Sequence, residues 1–74
     1  MIETAQKDLT HEAAAAVLAN NSVRDLRTLR VDRTNNKLQL SGSVRSFYHK
    51  QLAQEAVRVV AAGLTVVNRV DVAS

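Results

Sequence analysis

The hydrophobic and polar positions of this chain follow two different periods. Apolar residues recur at helical spacing over about residues 9–20 and 46–62, and at alternate positions over about residues 26–33, 37–43 and 66–72. A repeat near 3.6 residues indicates one face of a helix, and a repeat of two indicates a strand with one wet face. The pattern therefore predicts the order helix, strand, strand, helix, strand.

The first predicted helix contains strong helix formers, including a run of four alanines. Thr10 or Asp8 is a candidate N-cap, and Glu12 is favourable near the positive end of the helix dipole. Asn20 and Asn21 predict the end of the helix, because asparagine tolerates the left-handed conformation found there. The alanines allow this helix to lie close to the element against which it packs.

The second predicted helix begins behind Ser46, a candidate N-cap, and Gly63 is a candidate C′ residue. Phe47 lies about 100° around the helix from Tyr48 and therefore away from the centre of the apolar face. The spacing assigns that face to Tyr48, Leu52, Ala56, Val59 and Val60.

The first two strands predict an antiparallel hairpin. The sequence Thr34-Asn35-Asn36 between them is typical of a turn, and Asn36 is able to adopt a positive φ. Gly42 interrupts the apolar alternation of the second strand, which predicts a bulge or a close approach of another backbone. The helix that joins the second strand to the third makes these two strands parallel. Their direction is thereby predicted, but not whether they are adjacent.

Only one face of the predicted sheet is apolar, so both helices must cover that face. The predicted fold class is α+β, an αββαβ sandwich with two helices on one face of a three-stranded mixed sheet. The last strand should point Val66, Val70 and Val72 toward the core. The opposite face of the sheet is nearly balanced in charge, and we interpret it as a solvated face with cross-strand ion pairs. Its residues are Thr28, Arg30, Asp32, Gln39, Ser41, Arg69 and Asp71.

The chain has 74 residues, a formal net charge of +3 and no cysteine. This length predicts one small domain over residues 1–74, or one module of a longer protein, whose core rarely supplies more than about 3–5 kcal/mol. Without cysteine there is no disulfide and no thiolate metal site, and the compartment stays open. No apolar run reaches the ~18–20 residues of a membrane span. The first residues lack the basic and apolar regions of a signal peptide.

The ordered motifs resemble the BON domain, the bacterial osmotic-stress and nodulation module. The second strand, ending in Leu40-Ser41-Gly42-Ser43-Val44, has the family pattern Leu-Ser-Gly-x-Val. An alanine-rich helix and a glycine follow. The closing segment 66–72 then follows Val-x-Asn-x-Leu-x-Val, with valine at the leucine position. The other departures are Leu64 for the usual valine and Asn36 for a common hairpin glycine. The resemblance covers the chain from the first helix to Val72.

The resemblance implies an αββαβ sandwich with the third strand beside the second. It also implies a non-enzymatic bacterial module that is associated with the cell envelope and, in some proteins, with the periplasm and stress responses. Members bind phospholipid surfaces or protein partners, and many occur in tandem or attached to other domains.

Nothing in the sequence predicts catalysis, a cofactor or a metal. The two histidines, His11 and His49, lie on different helices, and no Ser-His-acid order, nucleophile elbow or phosphate-binding glycine loop is present. Asp8, His11 and Glu12 share a helix face, but three ligands on one exposed turn make a weak, open site without second-shell support. We interpret them as a solvated polar face and predict that the protein is not an enzyme.

Nucleic acid is also a poor fit to this sequence. Sheets that read RNA stack bases on aromatic side chains, whereas both aromatics here, Phe47 and Tyr48, lie on the second helix. Four arginines recur every three residues in the first strand and its approach. On a strand Arg30 points away from its neighbours in this series, so the four do not form one basic face. Their positions are Arg24, Arg27, Arg30 and Arg33.

Four residues at the start of the second helix are candidate contact residues: Arg45, Phe47, Tyr48 and Lys50. Aromatics among cations suit an anionic phospholipid surface, and the helix N-terminus attracts phosphate. In the alternative interpretation Tyr48 fills the core, Phe47 packs on the connector or a partner subunit, and the cations are solvated. The prediction is a non-catalytic module for an anionic phospholipid surface.

The alternative function is a protein-interaction or self-association module without lipid binding. Phe47 suits an interface anchor, and two open sheet edges allow strands of two copies to pair in a homo-oligomer.

Overall fold

The computed structural model describes residues 2–73, and within the first helix it describes side chains from Leu9 onward. Helix α1 spans Ile2–Ala19, a 3-10 helix spans Arg24–Thr28, and helix α2 spans Phe47–Val60. The strands are β1 Arg30–Thr34, β2 Lys37–Ser41, β3 Ser43–Val44, β4 Thr65–Asn68 and β5 Asp71–Val72. Strand β2 is central, antiparallel to β1 and parallel to β4. The predicted α+β sandwich is confirmed, with the closing strand beside the second.

Strands β2–β3 and β4–β5 are two halves of one parallel pair. Leu38 pairs with Val66 in the first half and Val44 with Val72 in the second, at the same separation along the chain. Backbone hydrogen bonds of 2.8–2.9 Å continue through both halves. The register is therefore kept, although each predicted strand is interrupted.

Gly42 lies at the interruption between β2 and β3. Its φ is +124°, a conformation that L side chains rarely adopt. A Cβ built on Gly42 would lie 2.8 Å from Leu29 Cδ2 and 3.5 Å from Leu29 Cα. The conformation therefore favours glycine, a Cβ would displace the end of the Leu29 side chain, and the backbone of residues 28–29 lies within 4 Å, as the predicted approach of another backbone requires.

The core lies between the sheet and the two helices. Leu29 and Val31 are buried as their alternation predicts. Val72 is exposed, so its predicted place in the core is wrong: β5 pairs only with the two-residue β3, and these two strands form a separate small sheet. The largest fully buried side chains are Leu18, Leu26, Leu38, Leu40, Val44, Val57 and Val70.

The predicted start of the first helix is wrong, whereas its end is confirmed. Helix α1 begins at Ile2, because no glycine or proline interrupts the segment ahead of Leu9. Thr10 therefore lies inside the helix and is not its N-cap, and the same holds for Asp8, whose side chain lies outside the described residues. The helix ends at Ala19, ahead of the paired asparagines.

Three other local predictions also need correction, two on element boundaries and one on the hairpin turn. Residues 26–28 belong to the 3-10 helix, and its turn buries Leu26, so the first strand begins at Arg30. In the hairpin turn the positive φ, 53°, is at Asn35 rather than at Asn36. Helix α2 ends at Val60, because Ala62 adopts a left-handed φ of 53° one residue ahead of Gly63.

The predicted apolar face of α2 is correct at Leu52 and Val60, which pack against the core, but wrong at Tyr48 and Val59. Ala53 and Val57 are completely buried, whereas Tyr48 and Val59 are exposed. The interpretation in which Tyr48 fills the core is therefore wrong. The prediction followed the largest apolar side chains, whereas the completely buried side chains of the helix are the smaller Ala53 and Val57. One turn before Ala53 on the same side of the helix lies the half-buried His49.

Candidate functional site

The start of α2 is closed by a side-chain cap. Ser46 is extended, with φ −144° and ψ 154°, and its Oγ accepts a hydrogen bond of 3.1 Å from the backbone N–H of His49. This satisfies one of the N–H groups that have no partner inside a helix. The predicted N-cap is therefore confirmed.

Asp25 reaches the same end of α2 from the 3-10 helix. Its Oδ2 accepts a hydrogen bond of 2.9 Å from the backbone N–H of Arg45 and lies 3.2 Å from His49 Nδ1. Its Oδ1 lies 3.6 Å from Arg45 Nε. Because an ionised carboxylate only accepts hydrogen bonds, His49 Nδ1 carries the proton in this contact. One carboxylate thus joins the segment before β1 to the first turn of α2.

The backbone hydrogen bond from Arg45 lowers the pKa of the Asp25 carboxyl below its usual value. Burial of the carboxyl raises its pKa and opposes this effect, while the hydrogen bond with His49 lowers it further. The side chain of Asp25 is only 14% exposed, whereas that of Arg45 is 81% exposed. The ionised carboxylate therefore lies beneath a guanidinium group that faces water.

This cluster was missed in the sequence, because Asp25 and His49 are 24 residues apart and belong to different periodic segments. One signal was present in the sequence. Asp25 is the only acidic residue between Glu12 and Asp32, in a segment that is otherwise basic. A carboxylate beside an apolar residue such as Leu26 needs a polar partner if the segment packs into the fold.

The four predicted contact residues surround this capped helix end, and we call them the aromatic patch: Arg45, Phe47, Tyr48 and Lys50. Phe47 is 67% exposed and Tyr48 is 68% exposed, while Lys50 is half-buried. The ring of Tyr48 lies 6.0 Å from the ring of His49. The structure therefore places two neighbouring aromatic side chains in solvent, beside two cations of which one contacts Asp25.

Asn68 holds the first turn of α2 from the other side. Its Nδ2 donates to the Lys50 carbonyl at 2.9 Å and to Gln54 Oε1 at 3.3 Å. Its Oδ1 accepts a hydrogen bond of 3.1 Å from the backbone N–H of Val70. This is the asparagine of the closing Val-x-Asn motif, and its amide fixes β4 against the helix that carries the aromatic patch.

The other candidate chemistry is not brought together. Across the residues that the structure describes, no three His, Cys, Asp or Glu side chains are placed to hold a metal ion. His11 Nε2 instead donates a hydrogen bond of 2.7 Å to the Val31 carbonyl on the outer strand β1. The side chain of Asp8 is outside the described residues. None of the helices that the structure describes combines the length and the apolar character needed to cross a bilayer.

The open face of the sheet lacks the cross-strand ion pairs that we expected from the sequence, within the residues that the structure describes. Among the described residues, the ion pairs join Asp25 to Arg45 and His49, and Glu55 to Arg58. None joins two charged side chains of the open face, so the expected cross-strand pairs are not formed. Of the four arginines that recur every three residues, Arg24 and Arg27 lie in the 3-10 helix, whereas Arg30 and Arg33 lie in β1.

Comparison with known protein families gives a match over almost the whole chain. The family model described as BON domain matches residues 5–74. No curated protein matches the chain significantly. The matched range includes all five strands, helix α2 and most of α1.

Proposed function

The chain belongs to the BON domain family, and from that premise we propose that it binds anionic phospholipid surfaces of the cell envelope through the aromatic patch. The family consists of non-catalytic binding domains. Binding would require no cofactor and no chemical step, and its residues would be Arg45, Phe47, Tyr48 and Lys50.

One observation carries this proposal: Phe47 and Tyr48 are adjacent and exposed, while the core closes without them. Removing a phenylalanine side chain from water is worth about 1.5–3 kcal/mol, and amphipathic aromatics favour the boundary between headgroups and acyl chains. Arg45 and Lys50 add attraction for anionic headgroups. A surface that takes up the two rings and meets the two cations satisfies every group of the patch.

Co-sedimentation with vesicles tests this proposal. We expect the wild-type chain to sediment with vesicles that contain phosphatidylglycerol, and less at high salt, because salt screens the cations. The double variant Phe47→Ala/Tyr48→Ala should bind at least about tenfold more weakly, from the apolar area lost. Both side chains are exposed, so the variant should keep the wild-type fold.

The matched control is Val59→Ala, which removes another exposed apolar side chain from the far end of the same helix. It should bind as the wild type does. The proposal would be contradicted by a wild-type chain that fails to bind anionic vesicles at any salt concentration. It would also be contradicted by a double variant that binds as well as Val59→Ala.

Self-association is the second candidate, and the edge of β4 favours it. Thr65 and Arg69 donate their N–H groups to carbonyls of the β2 segment and its turn at 2.8 and 2.9 Å, so the alternate groups of this strand face away from the sheet. Unpaired edges of this kind favour pairing with another strand. On the opposite edge of the sheet, the Val31 carbonyl accepts a hydrogen bond from His11. A concentration-dependent dimer in sedimentation velocity, without any response to lipid, would favour this candidate.

A further inference from the structure

Asp25 is the carboxylate that contacts the aromatic patch within the described part of the chain. It meets Arg45 twice, through the backbone N–H at 2.9 Å and through Nε at 3.6 Å. It also meets His49 Nδ1 at 3.2 Å. A lipid phosphate is likewise an oxyanion that accepts hydrogen bonds from N–H groups. Asp25 therefore already occupies the Arg45 backbone N–H and pairs with the Arg45 guanidinium, two groups that an anionic headgroup would also seek.

Asp25 also lowers the net positive charge of the aromatic patch. Arg45 and Lys50 carry two positive charges, and the Asp25 carboxylate, 14% exposed and beneath Arg45, compensates one of them. Each basic residue near an anionic membrane surface contributes about 1 kcal/mol of attraction, which is about fivefold in affinity. The net charge that faces the membrane is thus half of what the cations alone would give.

We propose that Asp25 is an internal counter-ion that sets how strongly the aromatic patch prefers anionic over neutral lipid. The proposal rests on the lipid binding proposed above. Asp25 competes with headgroup phosphate for Arg45, and it holds the electrostatic part of the affinity low. The two aromatic side chains are untouched by this competition, so their apolar contribution is the same with or without the carboxylate.

Asp25→Asn separates the charge of this side chain from its hydrogen bonds. An asparagine carbonyl oxygen at the position of Oδ2 still accepts from the Arg45 N–H and from His49 Nδ1. The matched control is Asp32→Asn, which changes the net charge equally on the exposed, open face of the sheet. At about 0.1 M salt the Debye length is about 10 Å, so a charge on that face contributes little at the patch.

The test is titration of each variant with two kinds of vesicle, pure phosphatidylcholine and an equimolar mixture with phosphatidylglycerol. Asp25→Asn should bind the mixed vesicles about fivefold more tightly than the wild type, and Asp32→Asn should stay near the wild type. Neither variant should differ from the wild type on pure phosphatidylcholine. Asp25→Ser, which keeps a hydroxyl acceptor, replaces Asp25→Asn if amide spectra show that the asparagine variant is unfolded.

Equal effects of Asp25→Asn and Asp32→Asn would overturn the counter-ion role. A gain that is as large on pure phosphatidylcholine would overturn it as well, because the gain would not be electrostatic. In both cases lipid binding itself would stand, provided that Phe47→Ala/Tyr48→Ala still weakens it. If neither the wild type nor any variant binds the mixed vesicles, the proposed function fails, and the role of Asp25 fails with it.

Discussion

Gly42→Ala should be among the most damaging single substitutions in this small domain. The backbone φ of +124° is strained for alanine, which costs about 1–3 kcal/mol. The new Cβ would also lie 2.8 Å from Leu29 Cδ2, and Leu29 belongs to the core. Displacing the end of this side chain costs up to about a further 1–3 kcal/mol. The total is comparable to the roughly 3–5 kcal/mol that a core of this size supplies.

Gly63→Ala is the matched control for this prediction. Gly63 also has a positive φ, +86°, but a Cβ there would meet no atom within 4 Å. It should therefore lose only the conformational part, and urea unfolding should place its midpoint between those of the wild type and Gly42→Ala. In a Leu29→Ala background the clash disappears, so Gly42→Ala should then cost about as much as Gly63→Ala. Equal losses for the two alanine variants in the wild-type background would refute the close approach as the cause.

Three further predictions concern stability. Ala62→Gly should raise the free energy of unfolding by up to about 1–2 kcal/mol, because glycine adopts the φ of 53° without strain. Thermal unfolding should therefore show a higher Tm, and an unchanged or lower Tm would contradict this prediction. Leu40→Ala should cost about 2–5 kcal/mol, since this side chain is completely buried, and a urea midpoint near that of the wild type would be incompatible with its place in the core. Asp25 should make stability fall in acid, because its pKa is lower in the folded chain than in the unfolded one. The stability that the ionised carboxylate contributes is present above about pH 4, and it is lost as the pH falls through the pKa of the folded chain. Unfolding from pH 7 to pH 2 should therefore show a smaller loss for Asp25→Asn than for the wild type, and identical profiles would argue against it.

The fold was predictable because its signals are local. Alternation in Leu38 and Leu40 indicates a strand with one buried face, and the crossover through a helix sets the direction of the closing strand. Gly42 was recognisable because a lone glycine inside a strand marks a bulge or a close approach of another segment. The turn sequence marked the hairpin, although the positive φ fell on Asn35 instead of its neighbour.

The surface of α2 was harder to predict. The small Ala53 is buried and the large Tyr48 is exposed, although size alone would predict the opposite. Which side of the helix faces the core depends on tertiary contacts that the sequence does not show. His49 is held by Asp25, and such a polar contact between distant segments leaves no periodic signal in the sequence. The four contact residues were named from their chemistry alone, whereas the exposure of both aromatics required the structure.

Two-dimensional amide NMR with and without anionic lipid micelles is the sharpest test of lipid binding through the start of α2. We expect shifts that are confined to residues 45–50 and to Asp25, whose carboxylate contacts Arg45 and His49. Resonances of the open sheet face, such as that of Gln39, should stay unchanged. A spectrum that is unaffected by lipid, or shifts that are centred on the open sheet face, would contradict binding at this end of the helix.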